Sequence, residues 1–551
     1  MTTRQHGDPP VRAELRFAIV VTVAFALLIA CALSRHEMWR DEMQAWMEAR
    51  DSTSLGALFA NTRYEGHTAL WFLLLYAGSR VTRAPAMMQV IHGMLATATV
   101  FLVARYAPFR RRWRALIPFG YFFAYGYAVV SRPYALGVLL LFAFCAVRTA
   151  RPGETTAAAL LLALVANTSA YGVMLAGAGA LALATDLMQG GRWRVRTTWI
   201  RAARAGGVLG IGMLAAGVWL VPPRSFHAPL FATQVVAIQA GPASAPHAAS
   251  IADKAEAAAS GVFRSFVPMP DLGARTIWNS NVLIASGGPR RLLIAVLASV
   301  LLLLVGAAAV RRRRAALVLF AAYGAIHIAF STWIWAGALY QQGYLFIAFL
   351  AALWLSAPAG SASPRAPGTM PEWRRDVQWI DAILSAQVMA ALIVLGADAL
   401  GPFSPGQDVA RFLHGRGLDR GPVLAGSAPP SSTVAGYLDR PIAYEDRGYV
   451  GTFVRWERPQ LFKPVEAENR TVDAAVAVSR ATGGGPVTVL LEKPVGGSHP
   501  NAVVTLLRAF LTSMMVDERC YVYSVSVRDT SAAAVQRAGG VARTRAKGGK
   551  R

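Results

Sequence analysis

Residues 67–78 read HTALWFLLLYAG, and whether this run crosses a membrane decides the arrangement of everything that follows it. Crossing takes about 20 apolar residues at 1.5 Å of helical rise each. The run is too short for that, so it reads as a re-entrant or interfacial helix. Around it stand apolar runs at 17–34, 86–104, 115–130, 134–148, 155–168, 171–188, 205–222, 291–310, 315–334, 342–356 and 379–400. Taken as spans, they make eleven.

The arginines test this reading independently, because short cytoplasmic loops collect Lys and Arg. With the N-terminus cytoplasmic and 67–78 not crossing, five loops fall inside: 105–114, 148–154, 189–204, 311–314 and 357–378. They carry 5, 2, 5, 4 and 3 arginines against Glu154, Glu372 and Asp376 alone. Segment 35–66 falls outside, with four arginines against six acids. If 67–78 crossed, every later loop would change sides and the charge rule would fail throughout. The large loops 35–85 and 223–290, and the chain after 401, are thereby placed outside.

Composition agrees. Only 15% of the 551 residues are charged and 55% are hydrophobic, where a soluble domain carries about 25% charged residues. The net charge of +25 sits in short clusters between apolar runs, which excludes a nucleic-acid surface. Cys31, Cys145 and Cys520 offer neither a disulfide framework nor zinc spacing. The first run, Phe17 to Leu33, is longer than a signal-peptide core, lacks a small-residue cleavage site and runs into Arg35, His36, Met38 and Trp39. It reads as an uncleaved first span.

Residues 1–400 thus form a polytopic α-helical membrane domain, and 401–536 a small extracytoplasmic α/β domain. In the latter, 408–415 and 502–515 read as helices, and 423–425, 487–491 and 521–527 as strands. Residues 537–551, rich in Gly, Arg and Lys, read as a disordered tail. No internal repeat of the transporter kind is visible.

Three short motifs carry candidate chemistry at outer-face helix ends, where ionisable groups are costly and usually have a purpose. Trp39-Arg40-Asp41-Glu42 follows the first span; its plain reading is a helix start with Asp41 as N-cap and Gln44 three residues on. Tyr64-Glu65-Gly66-His67 opens the short apolar run; its plain reading is an interfacial turn with His67 capping the helix. In Ser131-Arg132-Pro133-Tyr134 the arginine either snorkels to lipid headgroups or clamps a phosphate with its forked donors. Trp39, Trp46 and Tyr134 suit an interfacial aromatic belt better than sugar stacking. Asn167, Ser169 and Tyr171 read as a polar turn between spans. His92 and His327 read as hydrogen-bonding across helices. Trp278, Asn279 and Asn281 lie in an outer loop of the sort that gates a cleft. The sequence has no DxD metal site, no GxGxxG after a strand and no Walker motif. The motifs thus argue against a soluble nucleotide-sugar enzyme or an ATP-driven pump.

The order of these motifs, an acidic pair after the first span, EGHTALWFLLLY, then SRPYAL opening a later span, resembles the GT-C integral membrane glycosyltransferases. Within them it is similar to bacterial relatives of the dolichyl-phosphate-mannose protein mannosyltransferases and to aminoarabinose transferases. The likeness covers roughly residues 15–360 in layout. Two departures stand out. His67-Thr68-Ala69-Leu70 replaces a proline-rich HPPL pattern, and Tyr340-Gln341-Gln342-Gly343 replaces a basic Arg-His pair that would contact phosphate.

The resemblance implies an inverting enzyme of the bacterial inner membrane. It would use a polyprenyl-phosphate-linked sugar and a glycan, lipid or protein acceptor at the periplasmic face. Asp41 then matches the general base, with Glu42 orienting the acceptor or a cation. Arg132 stabilises the leaving phosphate, with Arg40, His67 and Tyr134 as further substrate contacts. The sequence leaves metal dependence open: Asp41 and Glu42 could hold a divalent cation, although no completing ligands stand near them. Two other readings stay open from the residues alone: a transporter or flippase of a lipid-linked intermediate, and a non-catalytic membrane scaffold.

Overall fold

The computed structural model describes residues 9–221, 251–274, 276–282, 289–357, 378–462, 466–497 and 499–528. The chain divides into two compact units, Met1–Phe403 with Arg455–Glu457, and Ser404–Val454 with Arg458–Arg551.

The first unit is helical and belongs to a multi-pass membrane protein. Among the described residues, seven helices are long and apolar enough to cross a bilayer: Val11–Leu33, Ala86–Tyr106, Ala170–Met188, Arg196–Leu220, Leu293–Val310, Arg314–Trp333 and Gln378–Leu400. Seven of the eleven expected runs form these helices. Three of the remaining runs form shorter apolar helices, Tyr134–Ala150, Thr155–Ala166 and Leu339–Leu355. The run 115–130 forms no continuous helix. It breaks into Arg111–Leu116, a 3₁₀ turn Ile117–Phe119 and a π turn Phe122–Gly126. Pro118 removes a backbone donor there, and Gly120 and Gly126 weaken the helix on either side. Residues 67–78 give the helix Ala69–Ser79, 11 residues long, too short to span.

Helices approach closely where residues are small. Arg196–Leu220 packs on Thr155–Ala166, with Gly212 lying directly against Ala163, as expected where the surrounding lipid supplies no hydrophobic drive between helices. The arginine-rich helix ends are tied together by shared acids. Glu14 pairs with Arg111 and Arg114 at 2.7 and 2.8 Å. Asp381 lies 3.6 and 3.8 Å from Arg110 and Arg112. Asp186 takes both Arg148 and Arg313 at 3.1 Å, and Arg313 also donates to the Leu355 and Ala357 carbonyls. Most of the segment 357–378 and much of 223–290 lie outside the described residues, as does the tail 537–551.

The second unit is built on a six-stranded sheet in the order β3-β2-β1-β4-β6-β5. Its strands are β1 Val423–Ala425, β2 Ile442–Tyr444, β3 Tyr449–Gly451, β4 Val487–Leu491, β5 Ala502–Phe510 and β6 Cys520–Val527. β1 runs parallel to β2 and β4, while β6 is antiparallel to both β4 and β5. The helix expected at 502–515 is corrected to strand β5. Val503, Val504 and Thr505 are β-branched, and the whole segment finds its partner in β6 from Ala502↔Val527 to Phe510↔Cys520. Such pairing decides between helix and strand where a short apolar run is ambiguous.

Candidate active site

The segment between the first two helices sets the geometry. Arg40–Asp51 is a helix whose N-cap is Trp39, in extended backbone. Glu42, at the third helical position, reaches back to accept the Trp39 N–H at 3.2 Å, one half of a capping box. Asp41 is therefore not the cap, contrary to the sequence reading. It sits inside the first turn, where a carboxylate complements the helix N-terminus, and its side chain is 36% exposed.

Arg132 reaches this turn from far along the chain. Its Nη1 donates to the Asp41 carbonyl at 2.5 Å, and its Nη2 lies 3.6 Å from Asp41 Oδ2. Nη2 also meets His67 Nε2 at 2.8 Å. A guanidinium can only donate, so Nε2 accepts and the His67 proton sits on Nδ1. Burial, and then the neighbouring Arg132 charge, hold His67 well below the usual histidine range. Burial alone would lower the Arg132 pKa, but Asp41 outweighs it and keeps the guanidinium charged. The site thus has one fixed, buried positive charge. His67 steers it and adds no second charge. Among the described residues, Arg132 Nε and His67 Nδ1 are buried and meet no hydrogen-bond partner.

Arg40 lies 3.8 Å from Asp41 Oδ1 and over the Trp39 ring at 5.8 Å. The Tyr134 hydroxyl accepts from Gln341 Nε2 at 2.8 Å, and its ring faces His67 and Tyr340 edge-on or tilted at 5.9 and 5.2 Å. The YQQG departure thus contributes an amide contact to Tyr134. Gly343 of the same motif is dictated by packing, since a Cβ there would strike the Phe122 ring. Trp278 stacks on Tyr340 at 5.7 Å and lies edge-on to Trp39 at 6.3 Å. Asn279, at φ 60°, accepts the Leu339 N–H at 2.8 Å and Arg264 Nη2 at 2.7 Å. Asn281 donates to the Val267 carbonyl.

Glu42 does not face this opening. It is fully buried; Oε1 accepts the Ser131 N–H at 2.5 Å, and Oε2 takes the Trp39 N–H and His36 Nε2, the latter at 3.1 Å. The expectation that it orients an acceptor or a cation is corrected: it holds the turn that carries Arg132. His36 Nδ1 in turn meets Asp398 Oδ2 at 2.8 Å, and the Tyr125 hydroxyl donates to that same oxygen at 3.1 Å. Burial opposes protonation of His36, but Asp398 and Glu42 together raise its pKa to about 10. His36 and Asp398 were missed in the sequence. An acid at the end of the last apolar run was the available signal.

A second acidic pair stands beside the first. Gln44 Nε2 donates to Glu48 Oε1 and to Glu65 Oε1, each at 3.0 Å. Burial, and then the Glu65 carboxylate, push Glu48 well above the usual carboxyl range. Nothing in the isolated sequence separated Glu48 from an ordinary exposed helix residue.

The other candidates serve packing and backbone. Asn167 donates to the Ala163 and Gly212 carbonyls, and Ser169 accepts the Gly172 N–H. His92 Nδ1 donates to the Ala128 carbonyl at 3.0 Å and its Nε2 accepts the Arg132 N–H at 3.3 Å, so it helps pin the Arg132 turn. Tyr171 lies edge-on to Tyr134 at 6.3 Å. His327 stacks on Tyr323 at 5.6 Å.

Two solved structures are similar to this chain. Both are crystal structures of ArnT from Cupriavidus metallidurans, one described as bound to undecaprenyl phosphate and the other as the apo state. Each is 14% identical, with a TM-score of 0.47, over 92% of this chain and 97% of that one. No protein-family profile matches the chain, and no curated protein does.

Chemically, the arrangement pairs one accessible carboxylate with one rigid forked cation. Among the described residues no three His, Cys, Asp or Glu side chains converge as metal ligands. Glu42, half of the expected cation pair, is engaged in protein hydrogen bonds. The site as folded does not fit the divalent cation that the sequence left open.

Proposed function

We propose that the protein is an inverting glycosyltransferase of the bacterial inner membrane. It takes a sugar from a polyprenyl-phosphate carrier and passes it to an acceptor hydroxyl at the outer face. The observation that carries this reading is the convergence of Asp41, Arg132 and His67 from three separate motifs. The motif order resembling GT-C transferases supports it.

In the proposed reaction the acceptor oxygen attacks the anomeric carbon from the face opposite the phosphate. The new C–O bond forms as the bond from that carbon to the phosphate oxygen breaks, and the polyprenyl phosphate leaves with the electron pair. Asp41, the exposed carboxylate of the site, takes the acceptor proton. Arg132 meets the charge growing on the leaving phosphate, and its geometry is fixed beforehand by Asp41 and His67, which is how such stabilisation becomes large. Tyr134, Arg40 and Trp39 supply the surrounding wall. Glu42 acts by holding the Arg132 turn in place.

The test is transfer by the purified protein, using lipid-linked sugars extracted from its host, with release of polyprenyl phosphate as the readout. Asp41→Asn and Arg132→Ala are each expected to slow release by roughly 10²-fold or more. Full turnover by normally folded variants would falsify the assignment. Movement of the lipid between leaflets without its consumption would identify a flippase instead.

A further inference from the structure

A ring of contacts encloses the turn that presents Arg132, and its members are scattered across the sequence. Asp398 Oδ2 meets His36 Nδ1 at 2.8 Å, and His36 Nε2 meets Glu42 Oε2 at 3.1 Å. Glu42 Oε1 accepts the Ser131 N–H at 2.5 Å. The chain then returns through Val130, whose N–H donates to the Tyr125 carbonyl at 3.2 Å, and the Tyr125 hydroxyl closes the ring on Asp398 at 3.1 Å. The His36 and Glu42 side chains are fully buried, and that of Asp398 is 5% exposed.

We infer that His36 and Asp398 are positioning residues. Acting through Glu42 and Tyr125, they hold the Ser131–Arg132 turn so that the guanidinium faces the phosphate of a polyprenyl-phosphate ligand. The inference rests on the reading of Arg132 as the phosphate contact and adds the device that aims it.

Three observations carry it. First, both ring nitrogens of His36 lie within hydrogen-bond distance of a carboxylate oxygen, and the doubly protonated ring satisfies both with charge-assisted hydrogen bonds. The ring therefore holds one positive and two negative charges. Second, burying such charges is costly, and apolar side chains would join the same helices at no loss of stability. A buried charged triad between the end of the first long helix and the end of the last is better explained by the orientation it imposes than by stability. Third, the ring touches the Arg132 turn at the two backbone groups that set its direction, the Ser131 N–H and the Tyr125 carbonyl. The segment between them, 127–130, is turn and bend rather than helix. The turn has no regular helix to hold it, so side chains must.

The test compares binding of undecaprenyl phosphate with binding of undecaprenol by the full-length protein in detergent. The two probes differ only in the phosphate, so a general loss of packing weakens both, whereas misaiming Arg132 removes only the preference. Asp398→Asn is expected to cut the phosphate preference by about tenfold, the worth of one charge-assisted hydrogen bond, with undecaprenol affinity unchanged. Tyr125→Phe keeps the ring packing and removes one hydroxyl contact; it serves if Asp398→Asn does not fold. It is expected to cut the preference by roughly threefold, as a neutral hydrogen bond would. Unchanged preference in whichever of these variants folds overturns the inference while leaving the phosphate reading standing. No preference in the unaltered protein, or a full preference in Arg132→Ala, removes the phosphate reading and the inference with it.

Discussion

At the residue scale, the site is shaped by which groups are denied water. Asp41 faces the Arg132 guanidinium and raises its pKa against burial, whereas burial and the Arg132 charge hold His67 neutral. Glu48 carries a pH dependence of its own. Its folded-state pKa is raised, by burial and by Glu65, above the value of about 4.3 that it has when unfolded. Any stability that depends on its protonation is fully present below the unfolded value and is lost as pH rises through the folded one. Glu48→Gln removes that dependence. The variant is expected to melt at the same temperature as the parent near pH 4.5 and about 2 °C or more above it at pH 8, measured by thermal unfolding in detergent across that range. A parent curve that is flat with pH, or a variant less stable at pH 8, would sink the assignment. The roles of such residues were not legible beforehand. Asp41 and Glu42 are neighbours in sequence and look alike there, yet one is open and the other sealed. Only the Ser131 N–H and His36, brought in by the fold, distinguish them.

At the scale of elements, the sequence announced most helices and one important failure. Pro118, Gly120 and Gly126 all stand within 115–130, and together they break the run. Apolar content outweighed them in the reading of that run as a span. Strand β5 was misread for a different reason: its identity rests on β6, and no local pattern reports a partner strand. The short helix Leu339–Gln342 and its continuation Tyr344–Leu355 meet at Gly343. A methyl group there would press into Phe122 and the Tyr127 hydroxyl. Gly343→Ala is therefore expected to lower stability by about 1–3 kcal/mol, the usual cost of overpacking, and to loosen the Gln341–Tyr134 contact next to it. Thermal unfolding in detergent reads the first effect. An unchanged melting temperature would show that the helix junction yields freely.

At the scale of the whole molecule, the arginine pattern was the most informative feature of the sequence. It separated the loops that meet around Glu14, Asp186 and Asp381 from the motifs that meet around Arg132. Charge asymmetry is readable in one dimension because it is set loop by loop, whereas the ring through His36 and Asp398 joins residues 362 positions apart. Asp186 illustrates how the arginine-rich ends are held. It serves both Arg148 and Arg313, and the Arg148 side chain is only 5% exposed. Asp186→Ala leaves a buried guanidinium without its counter-charge, and a loss of about 3 kcal/mol or more is expected. The companion change Arg148→Met should recover part of it. A double variant no better than the single one would show that the pair contributes nothing to holding these helices together.

The ring around the Arg132 turn also constrains the order in which the protein can change over generations. Losing Asp398 leaves His36 and Glu42 as a matched pair of opposite charges, so a lineage can survive that step. Losing His36 first strands two carboxylates together in a dry interior. Histories that begin with Asp398 are passable and those that begin with His36 are not. Living descendants lacking the aspartate should therefore include some that keep the histidine, while the reverse combination should be missing.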